Sequence, residues 1–282
     1  SDKGGIKLVW SPQKTKTYME LSAVLVSNKA FEGHPSGLEA NAKLVQGLFS
    51  ERGCTVSSVE NPNAPYRPII IASKGADSDK LTIGFFGHYD VEDADSEKWA
   101  TDPWMLVEKN GRWFGRGVAD NIVPLAQRIL LLEEFSKHCN LLFVLQGEEE
   151  IGSPFAMEMY PTLELPHVDV WVEETGYFFR NGKHRILAVN VDDTLQNVID
   201  NLQDLNDSNG RESVVRFRPM NKAFGNQGCP CLVHLLKDTP YIALGPNDDH
   251  STIHGVNESI DPELLDISAR QLVKLCEVLA GD

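Results

Sequence analysis

Apolar residues from Tyr18 to Phe31 recur at helical spacing. Ser36-Gly37-Leu38-Glu39 then has the Ser-x-x-Glu form of a capping box ahead of Leu44, Val45, Leu48 and Phe49, with Gly53 as the stop. The pattern predicts two opening helices. Short apolar runs follow at Pro68 to Ala72, Leu81 to Phe86, Leu141 to Leu145, Val168 to Val172 and Tyr241 to Leu244, each bounded by Gly, Pro, Asp or Asn. Runs of that length with those borders predict buried strands. Helical patterns lie between and after them: Asn121 to Phe135, the amphipathic stretch Asp193 to Leu205, and Pro262 to Leu279. Asn181-Gly182, set between apolar residues in Phe178 to Leu187, predicts a hairpin. Strands alternating with helices imply an α/β fold with a central, largely parallel mixed sheet flanked by helices. No repeat or linker divides residues 1–282, so one domain is expected.

Composition narrows the function classes. Against 41 Asp+Glu stand only 26 Lys+Arg, a net charge of −15. Such a chain lacks the basic surface a nucleic-acid binder needs and prefers cations. No apolar run reaches the roughly 18–20 residues of a membrane span, and Ser1 to Gly5 is no signal-peptide pattern, so a cytoplasmic protein without membrane contact is expected. Five cysteines, an odd number spread along the chain, read as reduced thiols rather than a disulfide framework. Cys229-Pro230-Cys231 could bind metal, but two thiols with no second pair nearby are a weak signal, and buried structural cysteines are expected.

Ligands of open α/β sheets bind beyond the carboxyl ends of the strands. Four apolar runs lead directly into polar clusters: His88-Tyr89-Asp90, Glu148-Glu149-Glu150, Glu173-Glu174, and Asp248-Asp249-His250 on the way to His254. A fifth cluster, Gly115 to Asn121, places Asp120 just before a helix. Each has an ordinary reading: a structural hydrogen bond for His88 and Asp90, a solvated face for the glutamates, an N-cap for Asp120, and a loop histidine for His254. Together they form a set of imidazoles and carboxylates suited to zinc, cobalt or manganese. Three adjacent glutamates also repel one another unless a cation sits among them.

These motifs, in this order, resemble the co-catalytic di-zinc hydrolases of the aminoacylase, glutamate carboxypeptidase, succinyl-diaminopimelate desuccinylase and dipeptidase family. Gly87-His88-Tyr89-Asp90-Val91 resembles its His-x-Asp-Val, and Trp99 to Asp120 the stretch leading to its bridging aspartate. Glu148 to Ser153 resembles its acidic pair before Ile-Gly-Ser, and His254 to Glu258 its His-x-x-Asn-Glu. The resemblance implies two divalent ions, zinc foremost with cobalt or manganese as alternatives. Asp120 would bridge them, with His88 and Glu173 completing one site and Glu150 and His254 the other; Glu174 is the adjacent alternative to Glu173. It further implies Asp90 as the acceptor for the second imidazole N–H of His88, Glu149 as general base, and a cis bond between Asp120 and Asn121.

The family's lid, a domain of roughly 100 residues or more, has no room here. Only about 183–221 remains as a short insertion in its place. The lid's dimer contacts, its oxyanion-stabilising His and its carboxylate-gripping Arg therefore have no assigned counterpart, with Tyr177, His184, Arg185 and His250 the conceivable replacements. A monomer is expected. Without the lid the chain resembles, in architecture, single-domain di-zinc aminopeptidases, whose open site binds a free α-amine with nearby acids. Glu174, Asp248 or Asp249 would serve here, which implies aminopeptidase-like or dipeptidase-like hydrolysis of a small peptide or aminoacyl substrate. An N-acyl-amino-acid deacylase or a carboxypeptidase is the alternative within the chemistry. A metal-free binding or scaffold protein is the alternative outside it, and it would be expected to have lost ligands that are all present here.

Overall fold

The computed structural model describes residues 12–173, 175–219 and 231–282. Its strands are β1 (Thr55–Val59), β2 (Ile69–Lys74), β3 (Thr82–His88), β4 (Val107–Lys109), β5 (Arg112–Phe114), β6 (Asn140–Gln146), β7 (Val170–Glu173), β8 (His184–Val189), β9 (Ser213–Phe217), β10 (Tyr241–Ala243) and β11 (Ser259–Ile260). Its α-helices are α1 (Pro12–Ser27), α2 (Pro35–Glu51), α3 (Val123–Ser136), α4 (Pro154–Met159), α5 (Asp193–Ser208), α6 (Cys231–Leu236) and α7 (Pro262–Ala280). Eight strands form one mixed sheet in the order β1-β2-β6-β3-β7-β10-β8-β9, and β11-β5-β4 form a small antiparallel sheet. Strands β6, β3, β7 and β10 run parallel to one another, so their carboxyl ends gather along one edge.

Period-two alternation explains the layers. Phe85, Leu141, Phe143, Leu145, Val170 and Val172 enter one core, while Phe86, Leu142, Val144 and Trp171 on the same strands enter another. Both faces of the central strands are buried, as continuous apolar runs require. On the first face Phe85 and Phe143 stack at 4.8 Å between ring centroids, and Phe49 from α2 and Phe135 from α3 close on them at 4.8 and 5.6 Å. Gly84 leaves room for a ring from the adjacent strand: a Cβ there would meet Trp171, its register neighbour on β7, at 2.5 Å.

The expected α/β architecture is present, with local differences. Helix α2 starts at Pro35 after His34, without a side-chain cap; proline at the first turn begins the helix ahead of the Ser36 capping box. The first helix ends at Ser27, so Phe31 lies beyond it, where it stacks on Trp104 at 5.2 Å. Strands β1, β4, β5 and β9 were not expected from the apolar pattern. The Asn181-Gly182 turn is present, with Phe178 bridged to His184. The chain then continues as β8, α5 and β9, the last two strands of the main sheet. Cys54, Cys139 and Cys276 are free thiols, the last two buried. Cys231 is buried as well, and Cys229 lies outside the described residues. No described helix is long and apolar enough to cross a membrane.

A buried polar network fastens β8, α5 and β9 to α7. Asn206 Nδ2 donates to Ser213 Oγ (2.9 Å) and lies 3.1 Å from His184 Nδ1, while Gln271 Nε2 donates to Asn206 Oδ1 (3.0 Å). Burial, reinforced by Arg211 and Arg185, lowers the His184 pKa to about 3. The unfolded chain takes up this proton near the ordinary value of 6.5 and the folded chain does not. The residue therefore removes stability as pH falls through that window, on the order of 1 kcal/mol per pH unit. His184→Gln should flatten the acid-side loss of the urea midpoint between about pH 6 and 4; parallel curves for variant and parent would contradict this role.

Candidate metal centre

The four parallel strand ends carry four of the five polar clusters singled out above. His88 is the last residue of β3, and its neighbour in register on β6 is Gln146, three residues before Glu149. Glu173 ends β7, paired in register with Ala243 of β10. Arg128, buried on α3, ties those two ends together by donating from Nη2 to the carbonyls of Glu173 (2.9 Å) and Leu244 (2.6 Å). Beyond them Gly176 sits at φ +54°, where a Cβ would fall 2.1 Å from the backbone of Gly245. Only glycine lets these two loops meet.

Asp120 arrives from outside the main sheet, on an irregular turn before α3. The turn hangs on one buried carboxylate, Glu258, which accepts the backbone N–H groups of Gly117 (2.9 Å), Ala119 (2.9 Å) and Asp120 (3.1 Å) and is paired with Arg116 at 3.1 Å. Asn121 completes the seat: its Oδ1 accepts from the His88 N–H (3.1 Å) and its Nδ2 donates to the His88 carbonyl (2.5 Å). The Asp120–Asn121 bond is cis.

The outcome is a carboxylate shared by two imidazoles. His88 Nε2 lies 2.9 Å from Asp120 Oδ1, and His254 Nε2 lies 2.9 Å from Asp120 Oδ2. Glu150 Oε2 is 2.7 Å from His254 Nε2, and Glu149 Oε2 is 3.8 Å from His88 Nε2. Asp90 holds the arrangement from beneath. Its carboxylate is 3.2 Å from His88 Nδ1 and accepts the N–H groups of Glu149 (3.2 Å) and Glu150 (3.0 Å). The Asp90 carbonyl also faces Nδ1 at 2.8 Å.

With the protein's own charges alone, these groups compete for protons. His254 is pushed up to about 11 by its hydrogen bonds to Asp120 and Glu150. For His88, burial works against the proton, but the charges of Glu149 and Asp120 outweigh it and raise its pKa. Burial lifts Glu150 to about 9 and raises Glu149 as well. Asp120 is driven below the usual carboxylate range: burial opposes this, but His88 and His254 prevail. Such a cluster fits a divalent cation, which replaces protons as the positive partner. Ligand atoms of His88, Asp120, Glu149 and Glu150 lie within 4.8 Å of one another, as do those of Glu92, Glu150 and His254. Among the described residues Glu150 Oε1 is buried without a hydrogen-bond partner, an acceptor left for a ligand.

Glu173 does not join these groups. Its Oε1 accepts the N–H (2.8 Å) and the hydroxyl of Thr175, and its Oε2 accepts the N–H of Gly176 (3.1 Å). Glu174 lies outside the described residues. Asp248 is paired with Arg112 at 2.8 and 2.9 Å, and Asp249 with the Tyr177 hydroxyl and the Arg180 N–H. Both acids are therefore already hydrogen-bonded within the chain. Sequence reasoning missed Arg128, Glu92 and the work of Glu258. An arginine within the largely apolar run Val123 to Leu132 is the available signal for Arg128, and the Asn257-Glu258 pair is the signal for Glu258. Asn257 Oδ1 accepts the Ala100 N–H at 2.9 Å.

The model of peptidase family M20/M25/M40 matches residues 84–278. The chain belongs to that family. Among similar proteins, the mouse Beta-Ala-His dipeptidase is 36% identical over 114 residues, covering 38% of this chain and 23% of the mouse protein. The cysteinylglycine-S-conjugate dipeptidase of Corynebacterium striatum is 31% identical over 149 residues, covering 50% of this chain and 32% of that one. The matched stretches thus span about a fifth to a third of these relatives. The fold is that of human carnosine dipeptidase 1, with TM-score 0.75, 13% identity, and 98% of this chain and 99% of that one covered. It is also that of the Legionella pneumophila LapA aminopeptidase, with TM-score 0.63, 14% identity, and 99% and 74% covered.

In this M20/M25/M40 member the backbone of both glutamates rests on Asp90. Asp90→Ala should therefore weaken metal binding by about 10–100-fold while leaving the far-ultraviolet spectrum unchanged. Equal affinities in metal titration of parent and variant would contradict the role.

Proposed function

We propose that this chain is a metal-dependent hydrolase that cleaves the peptide or amide bond of a small peptide or aminoacyl substrate, in the manner of a dipeptidase or aminopeptidase. The observation that carries the reading is the shared carboxylate: two imidazoles on the two oxygens of Asp120, with Glu149 and Glu150 alongside. Family membership and the names of the similar dipeptidases support it. His88, Asp120, Glu150 and His254, with an acid at the end of β7, would hold two divalent ions, zinc foremost and cobalt or manganese as alternatives. Such ions, when bound, acidify water and polarise a carbonyl.

The chain's own residues do the rest. Glu149 is the general base, taking a proton on its carboxylate from the attacking water and returning it to the leaving nitrogen. Burial raises its pKa, which suits a group that must accept and then release a proton. Its side chain is 31% exposed, open to substrate, whereas Glu150 at 6% is enclosed as a ligand should be. Asp90 fixes the His88 tautomer by facing Nδ1 and leaves Nε2 to the metal.

This reading takes residues 1–282 as one catalytic domain acting in the cytoplasm as a monomer, with 183–221 in the place of a lid. The strand-helix-strand of β8, α5 and β9 within that span continues the main sheet, which supports it.

Glu149→Gln should retain the metal content of the parent and lose turnover by about 10²–10⁴-fold; near-parental hydrolysis of dipeptides would remove Glu149 as the base. At the β7 end, Glu173→Gln and Glu174→Gln should differ in elemental analysis, the ligand variant dropping about one metal equivalent. The bonds that Glu173 makes to Thr175 and Gly176 favour Glu174 for that loss. Full metal content in both variants would deny either acid a place.

A further inference from the structure

Glu92 lies two residues beyond Asp90 on the loop leaving β3. Its carboxylate comes within 4.8 Å of donor atoms on Glu150 and His254, which are themselves 2.7 Å apart. The side chain is half-buried and has no hydrogen bond or ion pair among the described residues. Other acids have partners within the chain: Asp90 takes the Glu149 and Glu150 N–H groups, Asp248 pairs with Arg112, and Asp249 accepts from Tyr177 and Arg180, while Glu149 is assigned as the base. Glu150 Oε1 is likewise enclosed without a hydrogen-bond partner among the described residues. The charge of the Glu92 carboxylate is thus without a hydrogen-bonded partner among the described residues, on the side of the centre where His254 is 46% exposed.

Two cations could answer that charge, a metal ion or a substrate. Asp120, Glu150 and His254 already offer three donors to an ion at this end, and a catalytic site keeps a position open for water and substrate. A further protein carboxylate on the ion would close it. We propose that Glu92 instead binds the protonated α-amine of an unblocked N-terminal residue, and so makes the enzyme specific for peptides with a free amino end. The inference rests on the hydrolase reading above. An α-amine is largely protonated near neutral pH, and a charge-assisted hydrogen bond to a carboxylate is among the stronger polar contacts. Acylation removes the charge and leaves Glu92 facing a neutral amide. Ile151 next to Glu150, and Ile253 and Val256 near His254, are exposed apolar side chains that suit an apolar N-terminal residue.

The test compares leucyl-glycine with N-acetyl-leucyl-glycine on the metal-loaded parent, Glu92→Gln and Glu92→Asp, with metal content measured on the same samples. In Glu92→Gln the KM for leucyl-glycine should rise about 10–100-fold with a smaller change in kcat and unchanged metal content. The preference over the acetylated peptide should fall by the same factor, and Glu92→Asp should recover part of it. Loss of a metal equivalent in Glu92→Gln would make the residue a ligand and overturn the proposal; an unchanged KM with the preference intact would overturn it too. If the parent cleaves neither peptide, the hydrolase reading fails by itself. Calorimetry with leucine and N-acetyl-leucine then decides the amine site: stronger binding of leucine that disappears in Glu92→Gln supports it, and equal binding of the two overturns it.

Discussion

Asp120 carries an imidazole on each oxygen, and that demand shapes much of the surrounding chain. A carboxylate bonded on both sides must be presented edge-on from a backbone whose own N–H groups find partners elsewhere. Glu258 supplies those partners, accepting three consecutive-turn N–H groups and an arginine from deep within the protein. Burial raises its pKa to about 7, with the charge of Asp120 adding to the effect. Two acids in one buried region are tolerated because the backbone dipoles and Arg116 face one of them and the histidines face the other.

The parallel strands then set the spacing. Because β6, β3, β7 and β10 end along one edge, residues far apart in the chain reach a common place without long loops. The loops that do exist are tied by side chains rather than by further secondary structure. Asp90 takes the backbone of Glu149 and Glu150, Arg128 takes the carbonyls at the ends of β7 and β10, and Asn121 pairs with the backbone of His88. Loops fastened this way hold ligands with the precision of regular elements, which metal sites require.

The sequence made the central strands and their polar ends legible because both faces of those strands are buried. An uninterrupted apolar run stopped by His or Glu is a strong local signal. The edges were another matter. Thr55–Val59 and Ser213–Phe217 mix polar and apolar residues on partly exposed strands and show no clean pattern, while Val107–Lys109 and Arg112–Phe114 are too short for one. Clusters of acids were visible, but their commitments were not. Asp248 and Asp249 resemble free acids until Arg112, 136 residues away, and Tyr177, 72 residues away, are seen on them. No motif singles out Glu92; what marks it is the absence of a hydrogen-bond or ion-pair partner among the described residues.

That contrast bears on how an open site can discriminate. Residues 184–217 are built into the sheet as β8, α5 and β9, so they extend the core sideways. Among the described residues, the side chains around the two histidines lie on the loops at the strand ends, whose polar groups are mostly spent on holding one another. A carboxylate already bonded to an arginine or a backbone N–H gains little from a ligand amine, because the new contact replaces an old one. An uncommitted carboxylate beside a half-exposed histidine gains the whole difference. In a scaffold this heavily cross-tied, the groups left for substrate are therefore found by subtracting every internal hydrogen bond and ion pair. Among the described residues near His254 that subtraction leaves Glu92 and one oxygen of Glu150, beside the Glu149 carboxylate assigned as the base.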